Sequence, residues 1–176
     1  AAAIFVTHSH FDHLDIQAID ALTEERTMIF CDHTSAEKMN SKRVTVMKPG
    51  KEIILFGNIK VETIAAYNTT EGHTQFHPKE REDCGYIFNI GGSRIYVSGD
   101  TENTPEMKSL KDIDVAFLPV NQPFTMTVDE ALDAIKTIHP KVFYPYHYGG
   151  TDQKTDINRL TEEGKKYTDV RIRNME

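Results

Sequence analysis

Short apolar runs alternate along this chain with stretches in which apolar positions return every three or four residues. Side chains alternate sides in a strand and revisit one face of a helix every 3.6 residues, so the runs predict strands and the recurrences helices. Ile4–Thr7 reads as a buried strand, and Leu14, Ala18, Ala21 and Leu22 mark a helix over 14–22. A short strand over Thr27–Cys31 and a short helix over Thr34–Met39 follow. The next stretch is β-rich: Val44–Met47, Ile53–Phe56 and Ile59–Ala66, with turns at Pro49-Gly50 and Gly57-Asn58. Tyr86–Ile90 and Arg94–Ser98 flank Gly91-Gly92, which predicts a hairpin. Val115–Val120 is a further strand, and Val128, Ala131, Leu132, Ile135 and Ile138 share one face of a helix over 128–138. Val142–Tyr146 is a strand that ends at His147, before a helix near Asp156–Lys166 and a strand near Val170–Ile172. Residues 68–83 are polar, lack a period and carry two histidines, which predicts a long loop of the kind that is functional or disordered. A β-rich middle flanked by helices is an α/β layered arrangement.

Composition narrows the function classes. At 176 residues one domain over 1–176 is expected, with a core that needs no disulfide staples. The net charge of −7 argues against a general nucleic-acid binder, which would show a basic face. No apolar run is long enough to cross a bilayer, and the opening Ala1–Val6 lacks the basic start of a signal peptide. Cys31 and Cys84 form no metal-ligand spacing or disulfide framework, so a reducing cytoplasm is the expected compartment.

Candidate chemistry begins at His8-Ser9-His10-Phe11-Asp12-His13. Residues two apart in an extended segment project to one side, so His8 and His10 can reach one ion together. Asp12 and His13 follow where the chain turns toward a helix, and can face a second ion. Neutral imidazoles suit zinc, and a carboxylate compensates charge. Three histidines within six positions, in a chain with eight, point to metal rather than to chance. Asp100, after Gly99 at a strand end, can bridge two ions or merely cap a helix; His147, before Tyr148-Gly149, can be a ligand or a packing histidine. In the long loop, His73 follows a glycine and His77 is stiffened by Pro78. His139 reads as a helix C-cap and His33 as a helix-start residue without chemistry.

Thr7–Asp15, Gly99-Asp100-Thr101 and Tyr146-His147-Tyr148-Gly149 resemble, in order, the motifs of the metallo-β-lactamase superfamily. Ala66-Tyr67-Asn68 with Phe76-His77-Pro78-Lys79, Ile95–Thr101 and Phe124–Thr127 resemble its ascorbate-6-phosphate lactonase-like branch of metal-dependent hydrolases. The resemblance spans residues 4 to about 150. It implies an αββα sandwich with the site at one edge of two sheets. It also implies one metal on His8, His10 and His77, a second on Asp12, His13 and His147, and Asp100 bridging; His77 is preferred over His73 because the branch carries a His-Pro-Lys segment. Members usually have several strands before the histidine cluster, whereas this chain starts at the strand carrying it. An exposed edge there would be an aggregation liability, so further residues before it are expected.

The expected activity is that of a metal-dependent hydrolase with two divalent cations, zinc first and manganese or iron as alternatives. Cations about 3.5–4 Å apart lower the pKa of a shared water and supply a metal-bound hydroxide. The substrate is expected to be a small ester, lactone or phosphoester, with Asp12 also orienting the nucleophile. Lys79 and Arg81 can meet an anion or only solvent. No nucleic-acid or membrane partner is expected, and a homo-oligomer remains open. A nuclease or phosphodiesterase, a di-iron redox protein and a non-catalytic metal protein are the competing readings. Against the last, seven candidate ligands exceed the four of a closed structural zinc site. Phe124, Met126 and Tyr148 neighbour the motifs, with core packing the expected role of each.

Overall fold

The computed structural model describes residues 1–40 and 43–175. Two sheets form its centre. β1 (Ala3–Phe5), β2 (Met28–Cys31) and β3 (Val44–Val46) make a parallel three-stranded sheet in that order. The seven-stranded sheet contains β4 (Glu52–Leu55), β5 (Ile59–Ala65), β6 (Cys84–Ile90), β7 (Ser93–Val97), β8 (Val115–Pro119), β9 (Val142–Tyr146) and β10 (Asp169–Val170), arranged β10-β9-β8-β7-β6-β5-β4. Pairing is antiparallel from β4 to β7 and parallel from β7 to β10.

Three apolar clusters hold these layers together. Phe30, Met47, Leu55, Val61, Cys84 and Tyr86 fill the space between the sheets. Outside the small sheet, Val6, Leu14, Ile19, Ile29 and Cys31 pack beneath α1 (Ile16–Leu22) and α2 (His33–Met39). Outside the large sheet, Tyr96, Met107, Leu118, Ile135, Phe143 and Leu160 join it to α3 (Pro105–Lys108), α4 (Val128–Ile138) and α5 (Ile157–Gly164). The result is the expected αββα layering. α4 is its best-specified element: Thr127 and Glu130 form a reciprocal capping box, and Ala131, Leu132, Ala134, Ile135 and Ile138 are buried. Each larger side chain among these contributes roughly 1.5–3 kcal/mol by leaving water.

Two expectations about helices change. Asp15 accepts from Ala18 N and so starts α1 at Ile16. In that phase Ile19 and Leu14 are buried, whereas Ala18, Ala21 and Leu22, the expected inner face, are exposed. α3 was not expected; four residues are too few to show a period, although its Thr104 cap and first-turn proline are visible in the sequence.

Topology then places the chemistry. β5 and β7 each pair antiparallel with β6, and β7, β8 and β9 are parallel, so all four run in one direction. Their C-terminal ends therefore share one edge of the sheet. The residues after β1 reach the same edge, where Cys84 N donates to Thr7 O at 3.1 Å. No helix among the described residues is long and apolar enough to cross a membrane.

Candidate metal centre

The strand ends at this edge bring seven donors together: His8, His10, Asp12, His13, His77, Asp100 and His147. Three overlapping groups have ligand atoms all within 4.8 Å of one another: His8 with His10 and His77, His8 with His13 and Asp100, and Asp12 with His13 and His147. Asp100 lies between the outer two groups, its Oδ2 3.4 Å from His77 Nε2 and 3.5 Å from His147 Nε2. Its Oδ1 is 3.2 Å from His13 Nε2. Across the opening, Asp12 Oδ2 is 3.2 Å from His147 Nε2.

Local backbone sets each position. After His8 the chain folds into a turn in which His13 N and Leu14 N both donate to His10 O, swinging Asp12 and His13 back toward the strand end. Gly99 passes against this segment at φ +67°, and a Cβ there would lie 2.9 Å from Thr7 Cβ. A glycine is thus required where the Asp100 segment meets the histidine strand. His147 itself adopts φ +55° beyond β9, which an ordinary side chain rarely does, and its N donates to Met175 O at 2.7 Å.

Several rings are fixed through the nitrogen that faces away from the cluster, as is usual for metal-binding histidines. His77 Nδ1 donates to Phe124 O at 3.1 Å, and His8 Nδ1 lies 3.1 Å from Thr7 Oγ1. Their Nε2 atoms then point inward. His77 Nε2 and Asp100 Oδ1 are buried without a hydrogen-bond partner. Buried polar atoms left unpaired are costly, and these two face a nest of imidazoles; a divalent cation satisfies both and suits the nitrogen and oxygen donor set.

Electrostatics prepare the cluster unequally. Burial lowers His8 well below the usual imidazole value, against the opposing pull of Asp100. Burial, then Arg81 and His77, lowers His10 to about 4. His147 moves the other way: its hydrogen bond to Asp100 raises it, although burial opposes. Burial on its own would raise Asp100, but the imidazoles of His13, His147 and His77 outweigh it and hold the carboxyl well below the usual range.

The loop over 68–77 is tied down by residues beside the ligands. Glu102, fully buried two positions after Asp100, accepts from Thr69 N and Thr70 N, both at 2.7 Å, and from Thr69 Oγ1. Desolvation opposes its ionisation, but these bonds win and lower its pKa. Asn68 Nδ2 donates to Phe124 O and His73 O, linking the loop to the turn after β8. His73 lies outside the donor cluster, 3.4 Å from Glu102 Oε1, whereas His77 lies within it. Arg81 does not face an open anion site: it grips the buried Asp83 and donates through Nη1 to His10 Nε2 at 2.9 Å. Lys79 is taken up by Glu106 and the Tyr67 hydroxyl. Glu102 and Asp83 carry no signal in a single sequence, since an isolated acid in a polar stretch reads as surface, and Asn68 stands in a resembling motif without a role of its own.

His33 pairs with Glu37 on α2, and His139 caps α4 in the left-handed conformation, both away from the cluster. Met126 is core, while Phe124 lines a chamber over the cluster; the Tyr148 hydroxyl donates to Arg173 O.

A beta-lactamase superfamily domain matches residues 1–148. A UPF0173 metal-dependent hydrolase of Methanosarcina mazei is 31% identical over 175 residues, covering 96% of this chain and 74% of that protein. Another, from Symbiobacterium thermophilum, is 35% identical over 156 residues, covering 83% and 65%. Among solved structures, a Parabacteroides distasonis protein described as a candidate metal-dependent hydrolase superposes with a TM-score of 0.92 at 45% identity, covering 100% of this chain and 77% of that one.

Proposed function

This chain belongs to the metallo-β-lactamase superfamily, and from that membership and its seven converging donors we propose a hydrolase that uses two divalent cations on a small ester, lactone or phosphoester. The supporting observation is the place of Asp100: its carboxylate faces His77 on one side and His147 on the other. Under this reading His8, His10 and His77 hold one cation, Asp12, His13 and His147 the second, and Asp100 serves both. Zinc is the proposed ion for this nitrogen-rich set, with manganese or iron as substitutes.

When bound, such cations polarise the scissile group and bring the pKa of a water toward neutrality. The protein's own residues do the rest. Asp12, about one-third exposed and beside His147, is placed to orient the attacking water and accept its proton. Phe124 O and Thr7 Oγ1 fix the His77 and His8 rings, so the donors need not reorganise as charge develops. Burial pushes the thiols of Cys31 and Cys84 up to about 12, which removes both as nucleophiles.

The test is a panel of lactones, carboxylic esters, phosphodiesters and single-stranded nucleic acid, assayed with added zinc or manganese and after chelation. The expected result is cation-dependent turnover of at least one small ester or lactone and none of nucleic acid. Turnover that survives chelation overturns the proposal.

A further inference from the structure

A chamber of about 390 Å³ opens beside the cluster, with His10, Asp12, His77, Asp100 and His147 in its lining. Phe11, Phe76 and Phe124 make up the apolar part of its wall. Phe76 and Phe124 meet edge to face, ring centres 4.8 Å apart. Phe11 is 91% exposed, the most exposed large apolar side chain of the described residues. Leaving a phenylalanine in water forgoes the burial energy that places most of them in cores, so its position at the mouth calls for an apolar occupant.

The chamber's charge points the same way. No Lys or Arg among the described residues lines it. The basic side chains of the neighbouring loop are committed elsewhere, Arg81 to Asp83 and His10, and Lys79 to Glu106 and Tyr67. Lys38 donates to Ser9 O at 2.6 Å. Cations held by the carboxylates and by His10, His77 and His147 can draw the reacting group. A phosphate on the non-reacting part of a substrate would instead meet aromatic faces, Gly150 and the neutral Asn121 and Thr151, with no guanidinium or ammonium group. A buried anion without a partner is strongly disfavoured.

We propose that this chamber selects substrates whose non-reacting part is uncharged, flat and apolar, namely aryl esters and aryl-substituted lactones, and discriminates against phosphate-bearing ones. This rests on the hydrolase reading above. In the reaction one water adds across the acyl C–O bond. Its oxygen ends on the acyl carbon. With an aryl ester the bond to the aryl oxygen breaks and one proton goes to the leaving aryloxide. With a lactone the ring acyl C–O bond breaks and that proton makes the hydroxyl of the ring-opened hydroxy acid. In both, the other proton is lost from the carboxylic acid. Phe76 and Phe124 grip the aryl group by stacking and edge contact, while Phe11 closes over it.

The experiment compares phenyl acetate with a phenyl acetate that carries a phosphate on the ring, using the cation-loaded protein. Binding of phenol, the neutral product, is followed separately by ligand-observed NMR. Phenyl acetate is expected to win in kcat/KM by at least about tenfold, and Phe76→Ala or Phe124→Ala to lower its kcat/KM by about tenfold, mainly through KM. Phe124→Leu, which keeps the volume but removes the ring, covers the case in which the alanine variant does not fold. Ile90→Ala, an exposed apolar change in the β6–β7 hairpin, should alter neither readout. Equal or better turnover of the phosphate-bearing ester, or unchanged selectivity in the Phe76 and Phe124 variants, overturns the proposal. If neither ester turns over while a lactone or phosphodiester of the panel does, the hydrolase reading stands and the aryl selectivity is overturned. If nothing in the panel turns over with any cation, the hydrolase reading fails, and phenol binding still decides the chamber: binding lost in the Phe124 variants supports it, and no binding to the parent protein refutes it.

Discussion

Replacing Asp100 with Ala should reduce hydrolysis by at least about 10²–10³-fold while the fold persists. A ligand shared by two cations organises several kcal/mol of transition-state charge stabilisation, and each ~1.4 kcal/mol is a factor of ten. Asp100 is 3% exposed and stands within 3.5 Å of imidazoles from three separate segments: His13 in the turn after β1, His77 in the long loop and His147 after β9. No other carboxylate among the described residues faces both ends of the cluster in this way. Asp100→Asn keeps the shape and loses the charge, so it separates a steric from an electrostatic cause. Far-UV circular dichroism checks the fold. Turnover within about tenfold of the parent in a folded Ala variant would remove Asp100 from the reacting centre.

Acidification should strip the two halves of the cluster in order, the His147 half first. A ligand must shed its proton to bind a cation, so affinity falls by up to tenfold per pH unit once the pH drops below that ligand's pKa. The hydrogen bond to Asp100 raises His147 above 6.5, so its proton already competes as the pH falls through that value. Burial and Arg81 lower His10 to about 4, and burial lowers His8 well below its ordinary value, so these two ligands compete with protons less than His147 does. Calorimetric titration with zinc at pH 7, 6 and 5 should show the weaker binding step losing about 10-fold or more over that range. His147→Ala should remove that step and leave the other. Two steps that weaken in parallel, or a His147→Ala protein that loses the opposite step, would contradict the assignment.

The sequence was most informative where local chemistry is dense. The His8–His13 cluster, the Gly99-Asp100 step and the strand ending at His147 all mark the candidate site in the sequence, because histidines and a carboxylate clustered at strand ends have few structural reasons to be there. β9 and α4 match their expected bounds, since each carries a complete apolar pattern between clear stops. α1 is different. Its seven residues follow a turn, and the Asp15 cap sets a phase that buries Ile19 and exposes Ala18, Ala21 and Leu22. Long-range partners were not legible at all. That Glu102 would hold Thr69 and Thr70, that Arg81 would face His10 and Asp83, and that Phe124 would present its carbonyl to His77 depend on which loops the parallel strand ends bring together. Spacing along the chain carries no trace of such contacts.

In the proposed centre two cations share Asp100. The most direct measurement is elemental analysis of protein equilibrated with zinc at pH 7.5 and dialysed free of excess, with anomalous scattering from crystals of the same sample to locate each ion. About two ions per chain are expected, one among His8, His10 and His77 and one among Asp12, His13 and His147, each also contacting Asp100. A single ion per chain, or a second one bound away from Asp100, would contradict it.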